Sequence, residues 1–180
     1  MATIDGISTL EIKVVTFRPI GSVTTTTVEM SLQNSVSVLT SEGAPSGVFT
    51  DDLVTLVGSY FIKVKRWTGT GTPAAPNQAV KLRFFVTTHP TNPDQNDQYL
   101  LQGIAFSNRD QTAPMKPSDD NRLGQLHFTS INIEQVNGQR MFTVTNNRPL
   151  DKRISYDYLF LIQRTRDGAI GIIDPEYENE

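Results

Sequence analysis

The sequence of 180 residues contains no cysteine, two histidines and one tryptophan, and only 19% of its residues are charged. Without cysteine there are no disulfides, no thiolate nucleophile and no zinc site with Cys ligands. The low charge argues against a coiled coil and against a highly charged disordered chain. No apolar run approaches the roughly 18 residues that a membrane-spanning helix needs, so we expect no membrane partner.

Both ends of the sequence are informative. Residues 1–6 lack the basic segment and the apolar stretch of a signal peptide, so we expect a cytoplasmic protein, or one released without a cleaved signal peptide. The formal net charge is −3, and residues 174–180 contribute four of the acids. We predict a single domain over residues 1–173, followed by an acidic tail over 174–180. Because local patches decide ligand choice, the overall acidity does not exclude an anionic ligand.

The abundant residues are those of strands and turns, and β-rich runs recur about every 10 to 15 residues between Gly, Pro, Asn and Asp. Asn137-Gly138 and Asp167-Gly168, each between two apolar runs, are strong hairpin signals. No stretch keeps the helical period, so we predict an all-β fold, an antiparallel β-sandwich of jelly-roll-like form with Greek-key connections. The predicted strands span residues 7–17, 23–30, 35–40, 53–57, 60–67, 80–88, 99–106, 126–136, 139–145, 154–163 and 169–173.

Alternation of apolar and polar residues along these strands predicts which side chains fill the core. The predicted core residues are Ile12, Val14, Leu56, Ile62, Val64, Leu82, Phe84, Leu100, Phe128, Ile131, Ile133, Phe142, Val144 and Leu161. The run from Leu159 to Ile162 is continuously apolar, which is typical of a strand buried on both faces.

The residue sets that carry catalysis are missing, so we expect no enzyme and no cofactor. His89 and His127 stand alone, with no His-x-His pair and no Gly-x-Ser-x-Gly elbow in the sequence. Paired carboxylates leave a glycosidase as a third-ranked hypothesis. Asp94, Asn96 and Asp97 are weak candidates for a calcium site, but their setting is more typical of an Asx-rich turn than of a metal site.

A basic and aromatic surface is the sharpest functional signal. If strands 60–67 and 80–88 pair antiparallel across the loop between them, Lys65 lies opposite Lys81 and Lys63 opposite Arg83. Opposed cations repel by up to about 1 kcal/mol per pair unless an anion or an acidic neighbour relieves them. The outer face of this hairpin would carry Phe61, Lys63, Lys65, Trp67, Lys81, Arg83 and Phe85.

Three interpretations of this face stay open. It holds an anionic ligand, it is covered by another subunit, or it is a solvated face that Glu11 or Glu29 neutralises.

Two functions follow from these patterns. The first is a non-catalytic structural or self-assembling protein that acts through protein–protein contacts as a homo-oligomer, because exposed strand edges and aromatic faces favour partners. The second is a binding module for a carbohydrate or for an anionic polymer such as nucleic acid. Such a module would use the face of Lys63, Lys65, Lys81 and Arg83, or the loops 68–78 and 89–98.

Overall fold

The computed structural model of the chain describes residues 2–5, 7–34, 37–40, 54–58, 61–64, 80–108, 128–146, 154–173 and 176–179. These ranges are all-β, with strands, turns and no helix, as the sequence predicts. They therefore include no helix long and apolar enough to cross a membrane. The strands are β1 (Ala2–Asp5), β2 (Ile7–Thr16), β3 (Thr27–Asn34), β4 (Ser37–Thr40), β5 (Val54–Val57), β6 (Phe61–Val64), β7 (Val80–Thr88), β8 (Tyr99–Asn108), β9 (Phe128–Val136), β10 (Gln139–Asn146), β11 (Ile154–Arg164), β12 (Ile170–Ile173) and β13 (Glu176–Asn179).

Most of these strands belong to two sheets. Sheet I has the order β3-β2-β7-β10-β9. In sheet II the order is β12-β11-β13-β6-β5, and β8 pairs with β11 outside this path. Strands β1 and β4 form a separate pair.

The two sheets are mixed, which corrects the expectation of wholly antiparallel pairing. Strand β2 pairs parallel with β7, and β6 pairs parallel with β13. Parallel neighbours need a long crossover between them, and residues 17–79 supply one between β2 and β7. The parallel register places Leu10 beside Phe84 and Ile12 beside Val86, so the buried rows of the two strands are continuous.

Both predicted hairpin turns are confirmed. Strands β9 and β10 pair antiparallel through Asn137 and Gly138, whose φ values of 52° and 80° are those of a type I′ turn. Strands β11 and β12 pair through the second turn, in which Gly168 has a φ of 72°. The Asp167 carboxylate accepts a hydrogen bond from the amide of Ala169 at 3.1 Å and so braces this turn.

Buried side chains of the two sheets contact each other and form the core. The rings of Phe84 in β7 and Phe160 in β11 lie 5.1 Å apart between centroids, edge to face. Tyr158 of β11 donates its hydroxyl hydrogen towards the sulfur of Met30 in β3 at 3.5 Å. Aromatic edge-to-face pairs of this kind add to the free energy of burial.

Half of the predicted core residues are buried. They are Ile12, Val14, Ile62, Leu82, Phe84, Phe142 and Val144. The side chains of Val64, Phe128 and Ile131 lie outside the described part of the chain, and Leu56 is half-buried.

Three core predictions need correction. Leu100 and Leu161 are only half-buried, because their neighbours Leu101, Phe160 and Ile162 take the core face and a shift of one residue reverses the face. Ile133 is 49% exposed. Ile133 lies opposite Phe142 of β10 and so shares the core face. Its strand, β9, is an edge strand of sheet I, so Ile133 stands at the margin of the core.

Residues 176–179, within the segment expected as an acidic tail, form strand β13 of sheet II. Tyr177 of β13 pairs with Tyr156 of β11 on one side and with Ile62 of β6 on the other. Sheet II therefore includes part of the segment 174–180.

Candidate functional site

The predicted basic hairpin does not form. Strand β6 pairs with β5 and β13 in sheet II, whereas β7 pairs with β2 and β10 in sheet I. Lys63 lies opposite Thr55 and Glu178, so the predicted pairs Lys63–Arg83 and Lys65–Lys81 are wrong. Both edges of β7 are occupied by other strands, and the long segment between β6 and β7 lets them enter different sheets.

The residues of that face are therefore separated. Lys65 and Trp67 lie outside the described residues, as do the side chains of Phe61 and Lys63. Lys81, Arg83 and Phe85 share the outer face of sheet I, because Val80, Leu82, Phe84 and Val86 occupy the core face as predicted.

Arg83 is compensated by an acid that the sequence interpretation did not consider. Its Nη2 donates to Oε2 of Glu134 in β9 at 2.9 Å, and its Nε donates to Thr143 at 3.4 Å. Glu11 instead accepts a hydrogen bond from Thr87 at 2.7 Å, and Glu29 lies 3.1 Å from Nε2 of His89. On the described part of this face, Arg83 is thus paired with Glu134, and Lys81 is exposed.

The loop 89–98 is held together by its own amides. Asn92 is buried, and its Nδ2 donates to the carbonyl of Val14 at 2.9 Å and to the Tyr99 hydroxyl at 3.1 Å. Its Oδ1 accepts from the amide of Asp94 at 2.8 Å, which is an Asx turn. Gln95 donates to the carbonyl of His89 at 3.0 Å. Burial raises the pKa of the Tyr99 hydroxyl, so Tyr99 stays protonated beside Asn92.

The carboxylates of this loop face arginines. Asp97 is buried, with Oδ1 3.3 Å from Nε of Arg166 and Oδ2 3.9 Å from Nη1 of Arg164. Asp94 lies 3.8 Å from Arg166, whereas Asn96 is exposed. Among the described residues, no three histidine or carboxylate side chains are placed to hold a metal ion. The arrangement joins the loop to the β11–β12 turn by ion pairs.

Arg164 is the centre of this junction. Its Nη2 lies 2.6 Å from Oδ2 of Asp167, and its guanidinium stands 4.7 Å above the centroid of the Phe17 ring. The Arg164 hydrogen bond lowers the pKa of Asp167 to about 2. Thr165 also donates its backbone amide to the carbonyl of Gln98 at 2.9 Å. The β2–β3 connection, the loop 89–98 and the β11–β12 turn therefore meet at one end of the sheets.

An open cleft of about 360 Å³ lies where β7, β8 and the β9–β10 turn meet, and the sequence interpretation missed it. Arg140 is the one charged side chain among its lining residues. The sequence did contain a signal for this cleft. Arg140 lies two residues before the buried Phe142 and four before the buried Val144, so alternation places a cation on the core face of β10. The polar residues that line the cleft are Thr87, Thr88, Gln98, Asn137, Gln139 and Arg140.

The outer side of sheet II carries a compact apolar face, formed by Leu159, Leu161, Ile170 and Ile172. Leu161 lies opposite Ile172 in the β11–β12 pair, and all four side chains are half-buried. The inner row of β11 (Tyr158, Phe160 and Ile162) is fully buried. The apolar run 159–162 thus supplies both sides of the sheet, although only its inner side is fully covered.

Family models and curated proteins give no match to this chain. The apolar face and the cleft are the two features of the described residues that bear on its function.

Proposed function

We propose that the protein is a non-catalytic structural protein that self-assembles through protein–protein contacts. The observation that supports this proposal is the apolar face of sheet II. A sheet surface that faces water normally carries polar side chains, because alternation sends the apolar ones to the core. Four aliphatic residues on two neighbouring strands break that rule here, and apolar patches on soluble domains mark interaction sites.

The partner that we propose is a second copy of the same chain. The apolar face contains no charged residue, so two copies related by a two-fold axis meet without opposed charges. Gln163 and Gln102 lie beside it, 2.6 Å apart between Nε2 of Gln102 and Oε1 of Gln163, and offer a polar rim. An apolar centre with a polar rim is the usual anatomy of a subunit interface.

The architecture that we propose for the subunit is a β-sandwich. The contacts of Phe84 with Phe160 and of Met30 with Tyr158 support it, because each joins one sheet to the other. The parallel pairs β2–β7 and β6–β13 distinguish it from a simple antiparallel jelly roll with Greek-key connections.

Light scattering on a sizing column tests the assembly. The unchanged chain should elute at a salt-independent multiple of 20.0 kDa. Leu161→Lys and Ile172→Lys should shift the protein towards the monomer, because a buried lysine in the interface has no partner. Lys81→Gln, on the outer face of sheet I, is the control and should assemble normally. A monomer for the unchanged chain, or Leu161→Lys and Ile172→Lys chains that fold and assemble as before, would overturn the proposal.

A ligand-binding module is the second candidate. The nucleic-acid version loses support, because the predicted pairing of Lys63 with Arg83 is absent and Arg83 is bound to Glu134. The cleft around Arg140 favours a smaller ligand.

A further inference from the structure

We infer that the cleft between β7, β8 and the β9–β10 turn binds an acidic sugar, with Arg140 holding the carboxylate. This site lies apart from the apolar face of sheet II. The inference stands on its own if the assembly proposal fails, and the assembly proposal stands if the cleft does not bind.

The state of Arg140 is the first observation. Its Nε is buried without a hydrogen-bond partner, and its guanidinium carbon lies 5.5 Å from the centroid of the Phe142 ring. A buried donor left unpaired is costly, and more so when it is charged. The ring supports the guanidinium from one side and restricts its movement. A planar fork held in this way matches the two oxygens of a carboxylate.

Comparison with the other arginines strengthens this assignment. Arg83 pairs with Glu134, Arg164 with Asp167, and Arg166 faces Asp97 at 3.3 Å. Within the described residues no carboxylate pairs with Arg140, and none pairs with Arg18, which is exposed to water. Among the half-buried arginines of the described residues, Arg140 is thus the one without a carboxylate partner.

The rest of the lining selects the type of anion. Gln98, Asn137 and Gln139 line the cleft, and side-chain amides can donate to a hydroxyl or accept from one. Nε2 of Gln139 already donates to the carbonyl of Val86 at 3.3 Å. Leu100, which is half-buried, adds an apolar contact for a sugar ring. A polyphosphate or nucleic acid would need several cations, whereas this lining supplies one. The volume of about 360 Å³ suits a single sugar unit.

Titration with glucuronate, followed by calorimetry and by amide NMR, tests the inference. Glucuronate should bind roughly tenfold or more tightly than glucose, because only the acid engages the Arg140 charge. The amides of Gln98, Asn137, Gly138 and Gln139 should shift on binding in the unchanged chain. Arg140→Gln should lose roughly tenfold or more in affinity. Lys81→Gln removes one positive charge outside the cleft and should bind as before.

Several results would overturn the inference. They are absence of glucuronate binding, amide shifts confined to other residues, and equal affinity of a folded Arg140→Gln chain. Acetate or inorganic phosphate binding as tightly as glucuronate would also overturn it, because the cleft would then recognise charge alone. The NMR result in the unchanged chain decides the location even if Arg140→Gln does not fold.

Discussion

Replacing Gly171 with alanine should destabilise the fold, because this glycine lies where the β2–β3 connection packs against β12. A Cβ atom at residue 171 would stand 2.6 Å from Oγ1 of Thr26, 2.9 Å from Cε2 of Phe17 and 3.0 Å from the carbonyl oxygen of Arg18. Thr26 cannot easily withdraw, since its Oγ1 accepts from the Arg18 amide and donates to the Arg18 carbonyl, both at 2.9 Å. The amide of Ile20 also donates to the carbonyl of residue 170 at 2.8 Å.

The magnitude follows from these contacts. Forcing extra volume into a packed site costs about 1–3 kcal/mol. If the connection moves away, the two Thr26 hydrogen bonds are lost at about 1 kcal/mol each. Alanine restricts the unfolded chain and returns about 0.4–1 kcal/mol. Whichever way the site responds, we therefore expect Gly171→Ala to lower the free energy of unfolding by about 1–2 kcal/mol. For a chain of this length that is a fall in Tm of roughly 2–8 °C.

Chemical and thermal unfolding followed by circular dichroism would measure this change. Gly103→Ala is the matched control, because a Cβ at residue 103 meets only Cδ1 of Leu161 at an ordinary 3.6 Å. We expect the control to be as stable as the unchanged chain or slightly more stable. A Gly171→Ala chain within about 0.5 kcal/mol of the control would refute the close packing of the β2–β3 connection on β12, since surface changes fall in that range.

Three further predictions concern polar contacts. The pKa of Asp167 falls from 3.8 to about 2 in the folded chain, so its pair with Arg164 stabilises the fold fully above about pH 4 and not below about pH 2. As the pH falls from about 4 to about 2, the Tm difference between the unchanged chain and Asp167→Asn should therefore shrink. A Tm difference that does not depend on pH would argue against the pair. Asn92→Ala removes a buried amide with three hydrogen bonds. It should cost about 2–3 kcal/mol in urea unfolding, whereas a loss below about 0.5 kcal/mol would contradict its role. A double-mutant cycle of Arg83→Met with Glu134→Gln should give about 0.5–1 kcal/mol of coupling, because both side chains are partly exposed, and zero coupling would count against the pair.

The sequence predicts well what depends on neighbouring residues. The alternation of β7 identifies its core face, and Asn137-Gly138 identifies a turn, because both signals lie within a few residues. The choice of strand partner, in contrast, depends on residues far apart in the sequence and is not predicted by local patterns. Strands β6 and β7 follow one another with alternating apolar residues, yet they enter different sheets because distant strands occupy their edges.

The two candidate sites differ in the same respect, since one can be predicted from a local segment and the other cannot. The apolar run 159–162 signals a two-sided strand locally, and the outer apolar face follows from it. The cleft is formed by β7, β8 and the β9–β10 turn, so no single segment contains it. Glu134 could not be assigned to Arg83 either, because the pairing depends on β10 lying between their strands.

The parallel pairing of β6 with β13 has a consequence for how the chain folds. Ile62 and Tyr177 are neighbours in the sheet, although well over half the chain separates them in sequence. Closing so large a loop loses entropy before the contact is gained, and domains rich in such contacts fold slowly. The β9–β10 hairpin forms from neighbouring residues, whereas this part of sheet II must wait until residues 176–179 are available. During synthesis the edges of β6 and β11 that pair with β13 therefore stay open to wrong strands until residues 176–179 emerge, so the order of translation exposes this fold to mispairing.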